Sequence, residues 1–151
     1  MLRVPSSRSR SYLPLFLALS LLLAGCAYRG PEIAYVAGRV TMDGRPLANA
    51  TVVFVPENGR PAGATTDADG NYVLNFANGR QGAIPGPSTV RIMTLRDADQ
   101  DEIGQTIPGS PETVPARYNA DSILTFDVVP NQKNIANFDL ESKGALATRD
   151  S

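Results

Sequence analysis

The chain has 151 residues, a formal net charge of −1, 13 Gly, 12 Pro, a single Cys, and neither His nor Trp. This composition argues against nucleic-acid binding, which calls for a basic face. It rules out Ser/His and Cys/His catalysis and an internal disulfide. The length suits one domain with its own core, and short apolar stretches between turn residues predict an all-β fold.

A basic start (Arg3, Arg8, Arg10) precedes an apolar run from Tyr12 to Leu23. The run is too short to cross a bilayer, which takes about 20 helical residues. Followed by small residues, it reads as an export signal over residues 1–25. A thiol directly after Leu23-Ala24-Gly25 resembles the bacterial lipobox. That resemblance implies cleavage before Cys26, which would carry a diacylglyceryl group and fatty-acyl chains such as palmitate. The alternative is an ordinary signal peptide that leaves Cys26 as a free thiol. Each buried CH₂ contributes about 0.8 kcal/mol and one acyl chain holds only marginally, so two chains give stable attachment without a membrane-spanning helix. Ala27, where an inner-membrane retention signal would have Asp, favours the outer membrane as the expected location. Beyond residue 25 the chain carries eleven basic and fifteen acidic side chains. Lipid rather than charge would therefore hold it to the envelope.

Residues 26–32 read as a tether ahead of a domain over 33–141. The first strand is expected near Tyr35–Met42, with Val36, Gly38, Val40 and Met42 on one face and Tyr35, Arg39 and Thr41 on the other. Asp43-Gly44 supplies a turn, and Leu47 is expected to pack back over the end of the fold. Ala50–Val55 is apolar on both faces and suits a central strand. Pro56 and Asn58-Gly59 end it, and Ala62–Thr66 reads as a short edge strand. Tyr72, Leu74 and Phe76 alternate with Val73 and Asn75. Asn78–Pro87 is a Gly-rich connection. Thr89–Leu95 places Val90 and Ile92 inward. Ile123–Val129 points Leu124, Phe126 and Val128 inward, and Ile135–Leu140 does the same with Ala136, Phe138 and Leu140. Residues 142–151 read as a disordered polar tail.

Two stretches carry the functional candidates. Asp67, Asp69 and Asn71 occupy the first, third and fifth places of a calcium loop. Tyr72 and Asn78 stand where that loop needs Gly and a bidentate Glu, so the competing reading is a tight Asx turn with Gly70 left-handed. The second stretch, Arg96–Asp121, is aperiodic, with Asp97, Asp99, Asp101 and Glu102 clustered and prolines at 108, 111 and 115. Loops this long are functional or disordered. The acidic part reads as solvated and mobile, and Arg117, Tyr118 and Asn119 read as the candidate partner contact. A carboxylate pair for acid–base catalysis must be held at fixed separation in contrasting environments, which a mobile cluster does not provide.

The run Val36-Ala-Gly-Arg-Val-Thr-Met-Asp-Gly-Arg-Pro-Leu-Ala-Asn-Ala-Thr-Val-Val-Phe-Val-Pro56 resembles the opening of carboxypeptidase regulatory-like domains. Thr66–Tyr72 is similar to their next landmark, and Pro85-Gly86 ahead of a strand to a third. Val114–Asn119 and Asn134–Leu140 resemble a subgroup of small bacterial lipoproteins built from one such domain. The resemblance, over roughly residues 36–140, implies a seven-stranded Greek-key β-sandwich of the transthyretin-like or immunoglobulin-like type. It also implies a non-enzymatic accessory module without a cofactor. The expected partners are the membrane, through lipidated Cys26, and an envelope protein or polysaccharide; carbohydrate binding or calcium stabilisation is the alternative. Enzymatic relatives of this fold use His. The hydroxyisourate hydrolases add a terminal Tyr-Arg-Gly-Ser, where this chain reads Thr148-Arg149-Asp150-Ser151.

Overall fold

The computed structural model describes residues 30–146. The signal segment, Cys26 and residues 147–151 lie outside the described residues. The fold is all-β, with two principal sheets packed about one core and two short 3-10 turns, Ala77–Gly79 and Ala116–Tyr118.

Strand β1 (Val36–Met42) is the axis of the first sheet. Asp43 (φ 51°) and Gly44 (φ 76°) are both left-handed. They form the two-residue turn whose twist suits a hairpin, folding β2 (Arg45–Pro46) back onto Thr41 and Met42. β5 (Asn71–Val73) pairs antiparallel with the first half of β1 on the same side. On the other side β10 (Asn134–Ile135) and β11 (Phe138–Leu140) run parallel to β1 in one unbroken register, from Val36↔Asn134 to Met42↔Leu140. The second sheet is antiparallel, in the order β4 (Ala62–Thr65), β3 (Thr51–Pro56), β6 (Gly86–Met93), β9 (Thr125–Val128).

Apart from Val52 and Phe54, whose strand is apolar on both faces, the fully buried strand residues are ones the alternation predicts, while Gly38, Met42, Leu124 and Phe126, also expected inward, are half-buried. Val36, Val40, Tyr72, Leu74, Ala136, Phe138 and Leu140 from the first sheet meet Val52, Phe54, Val90, Ile92 and Val128 from the second, all buried. Burying one such aliphatic or aromatic side chain contributes roughly 1.5–3 kcal/mol. The Phe54 ring stands edge-on to Phe126 (5.7 Å between centroids) and to Phe138 (6.2 Å), so one aromatic chain joins the two sheets. Leu47 packs against this core, as expected.

The two sides of the packed sheets differ. On one side, Gly63 and Asn75 exchange backbone hydrogen bonds of 3.1 and 2.9 Å, linking β4 to the continuation of β5. The chain thus leaves the first sheet after Val73 and reaches the second at Asn75, which splits the strand expected over Tyr72–Phe76. On the other side β9 and β10–β11 are the outermost strands of their sheets. β6 begins at Gly86, ahead of the expected Thr89, because Gly86 and Pro87 already pair with Val128 and Asp127.

The polar tail expected from residue 142 is held as far as Leu146. Leu146 bridges Pro115, and Ala116 donates its amide to Ala145 (2.8 Å). The domain therefore extends past the boundary at 141 that the sequence suggests.

Candidate functional site

Residues 96–110 leave the end of β6 as a paired β-ribbon, where the sequence shows only an aperiodic acidic loop. Arg96 and Ser110 exchange backbone bonds of 3.0 and 2.8 Å. Beyond them β7 (Asp99–Gln100) pairs with β8 (Thr106–Ile107). The Asp101 carboxylate makes the tip by accepting the amides of Ile103 (3.1 Å) and Gln105 (2.8 Å), the local bonding for which Asp is favoured in turns. Gly109 lets the two arms close, since a Cβ there would lie 2.6 Å from the Arg96 carbonyl oxygen. The ribbon carries Asp99, Asp101 and Glu102 on its surface and Ile103, 79 % exposed, at its tip.

One carboxylate fixes the base of the ribbon. Glu112 Oε1 accepts the Thr94 amide (3.0 Å), the Thr94 hydroxyl (2.9 Å) and the amides of Thr113 (2.9 Å) and Val114 (2.8 Å). Its Oε2 accepts from Asn119 Nδ2 (2.9 Å) and, at 3.4 Å, from the Leu95 amide. Burial pushes the Glu112 pKa up, but the donors on Thr94, Val114 and Leu95 outweigh it and hold the carboxyl below its ordinary range. Val114 then inserts fully into the core, with Tyr118 beside it. Sequence reasoning missed Glu112. It is a single acid among prolines, and two of its donor residues, Thr94 and Leu95, lie across the ribbon where no local spacing shows them.

Arg117, Tyr118 and Asn119 are brought together, but the polar groups of Arg117 and Asn119 are engaged within the fold and the Tyr118 ring is buried. Tyr118 is 8 % exposed, too buried to serve as a stacking platform. Asn119 holds Glu112. Arg117 donates to the carbonyls of Lys143 and Glu141, lies 3.6 Å from the Glu141 carboxylate, and places its guanidinium 4.6 Å from the Tyr118 ring centre. The surface left for a partner is the ribbon itself.

The Asp67 turn is also internally bonded. Asp67 Oδ1 accepts the amides of Asp69 (2.9 Å) and Asn71 (2.8 Å), and Oδ2 lies 3.4 Å from Asn71 Nδ2. The Asn71 amide bond leads the effects that lower the Asp67 pKa. Asp69 offers its backbone carbonyl to Arg39 Nε (2.8 Å). Among the described residues no three Asp, Glu, Cys or His side chains cluster as metal ligands. The arrangement is that of the Asx turn, with Gly70 at φ 78°.

The opposite end receives the tether. Ala34 and Ala83 exchange backbone bonds of 2.9 and 3.0 Å, and Arg80 donates to the Pro31 carbonyl (3.1 Å). Lys133 lies 5.9 Å from the Tyr35 ring centre. Residues 30–34 precede the start of β1, while the ribbon follows the end of β6, which pairs with the start of β3. Leu47 and Thr66 link the end of β1 to that same region. The ribbon and residues 31–34 therefore lie at opposite ends of the domain.

No family model matches this sequence, and no curated protein matches it. Among solved structures it is similar to a 9R-lipoxygenase from Cyanothece PCC8801, with 10 % identity and a TM-score of 0.40 over 73 % of this chain. The match spans 16 % of the lipoxygenase, and a likeness of that size bears on neither fold family nor activity. No helix among the described residues is long and apolar enough to cross a membrane.

Proposed function

We propose that this chain is a lipid-anchored, non-enzymatic module of the bacterial cell envelope, held by acylated Cys26 and presenting the ribbon of its 96–121 loop to an envelope protein or polysaccharide. The observation that carries the reading is the pairing of a lipobox-like Leu23-Ala24-Gly25-Cys26 with a domain whose tether enters at one end while its projecting ribbon leaves at the other. In that arrangement the ribbon lies at the end of the domain opposite to residues 31–34. The fold is read as the carboxypeptidase regulatory-like, seven-stranded Greek-key sandwich. The Asp43-Gly44 hairpin, the Asp67–Tyr72 turn and the Pro85-Gly86 strand entry support that reading.

The test is metabolic labelling with a radioactive fatty acid, followed by membrane fractionation, of the full chain and its Cys26→Ser variant. Label and membrane association are expected in the wild type and lost together in the variant. Unchanged fractionation of the variant would end the anchoring reading. For the contact surface, in-cell cross-linking is compared between wild type and a chain whose 99–107 arm is replaced by a short Gly/Ser turn. An identical set of adducts would remove the ribbon as the contact.

A further inference from the structure

The free edge of β9 points to a second copy of this chain as its partner. Val90 donates to the Leu124 carbonyl at 2.9 Å, and β9 continues in that register with Ser88↔Phe126 and Gly86↔Val128. Bonded and non-bonded pairs alternate along an antiparallel ladder, so the amides and carbonyls of Thr125 and Asp127 face away from β6. Opposite them on β6 stand Thr89 and Pro87, and Pro87 has no amide to give. Outside the β6–β9 ladder, the Thr125 and Asp127 backbone groups take part in no hydrogen bond among the described residues. The flanking positions are closed: the Ile123 amide donates to Arg117, and the Asn134 side chain takes both the amide and the carbonyl of Val129.

We propose that two copies pair antiparallel along β9 about a two-fold axis at Phe126. Only this centre pairs all four free backbone groups of Thr125 and Asp127. It sets Thr125 against Asp127 of the second copy, twice, giving four backbone bonds. A centre at Asp127 would place two carboxylates face to face and set Thr125 against the occupied Val129. A centre at Thr125 would set Asp127 against the occupied Ile123. The Phe126 centre also brings Ile123, 70 % exposed, opposite Val129, 42 % exposed, at both ends, so apolar side chains flank the ladder and no like charges meet. The second sheet then continues across both molecules and removes an unprotected edge. The pairing does not depend on lipid attachment.

The test uses full-length chains in mild detergent. Sedimentation should show a reversible dimer for the wild type. Thr125→Asp, which sets like charges opposite each other twice, should weaken it about tenfold, and Thr125→Lys, facing Asp127, should tighten it. Thr125 is exposed, so neither change touches the core. Oxidation of mixed Thr125→Cys and Asp127→Cys chains should give a cross-linked dimer, because bonded pairs lie about 5.5 Å apart, within disulfide reach. Each variant alone should give none, and all the cysteine variants are made in the Cys26→Ser chain so that no other thiol competes. A wild type that stays monomeric at every concentration, equal dimerisation by the Asp and Lys variants, or capture of a different protein by the new thiols in cells would each overturn the proposal. None of these results bears on Cys26 acylation, which the labelling experiment reads separately.

Discussion

The Tyr72 hydroxyl donates to the Ala136 carbonyl at 2.6 Å, across the bare backbone of Gly38. In an unbroken parallel ladder that carbonyl would accept the Arg39 amide. Here Arg39 donates to the Asn137 side chain instead, at 2.9 Å. Two side-chain bonds thus replace one backbone bond where β10 passes into β11. A Cβ on Gly38 would fall 1.8 Å from the Ala136 oxygen and 3.0 Å from the Tyr72 hydroxyl. Gly38 is therefore needed for close approach, and burial raises the Tyr72 pKa so that the phenol stays a donor.

Tyr72→Phe should accordingly destabilise the domain by about 1–3 kcal/mol, the cost of leaving a buried acceptor unpaired. Gly38→Ala should be worse, because the displaced atoms are backbone. Urea unfolding followed by tyrosine fluorescence or circular dichroism measures both. A Tyr72→Phe variant as stable as the wild type would mean that water replaces the hydroxyl.

Glu112 makes ribbon order pH-dependent. Its folded pKa lies below the ordinary 4.5. The stability it adds is therefore complete above about pH 4.5 and is lost as pH falls through the lower, folded value. Glu112→Gln should reproduce the acid state at neutral pH, since an amide nitrogen would face the donors of Asn119 or Thr94. A loss of about 1–3 kcal/mol is expected from the broken charged hydrogen bonds, with earlier proteolytic cutting between residues 96 and 121. Equal cutting of variant and wild type would show that the ribbon is held from elsewhere.

The strands were legible in the sequence because one face of each is buried. Period-two alternation marked Val36/Val40, Val90/Ile92 and Ala136/Phe138/Leu140, and burial follows those positions, whereas Ala50–Val55 was legible as a strand but not which of its faces is inward. Asp43-Gly44 and Asp67–Tyr72 were legible because left-handed backbone and Asx bonding demand particular residue types. The ribbon was not. β7 and β8 are two residues each and exposed throughout, so no hydrophobic pattern encodes them. Glu112 and Arg117 act on residues far along the chain, and a buried Tyr118 reads from sequence like an exposed one. The acidic cluster that suggested mobility is ordered by Asp101 bonding its own backbone, a short-range pattern hidden among neighbouring acids.

Arg117 should prove irreplaceable by Lys. Its guanidinium bonds two carbonyls, on Glu141 and Lys143, while lying near the Tyr118 ring. An ammonium can approach one of these but lacks the planar fork. Arg117→Lys should speed amide exchange at Ala116 and over 142–146 while the core strands keep their protection. A uniform rise across the domain would instead mean that the chain after 141 is part of the cooperative core.

The Asp67 turn should respond to backbone change and not to calcium. The carboxylate oxygens already accept from Asp69 and Asn71, so an entering ion would have to displace bonds that shape the turn. Gly70 is left-handed, and a Cβ there would lie 2.4 Å from the Val40 carbonyl oxygen, which in turn accepts the Leu47 amide. Gly70→Ala should therefore lower the melting temperature clearly, through both the φ penalty and the clash. Asp67→Ala should lower it less, since it removes only exposed turn bonds. Millimolar calcium should leave the wild-type melting temperature unchanged. A calcium-dependent rise abolished by Asp67→Ala would instead make this turn an ion site and require the Asp67 side chain to turn outward.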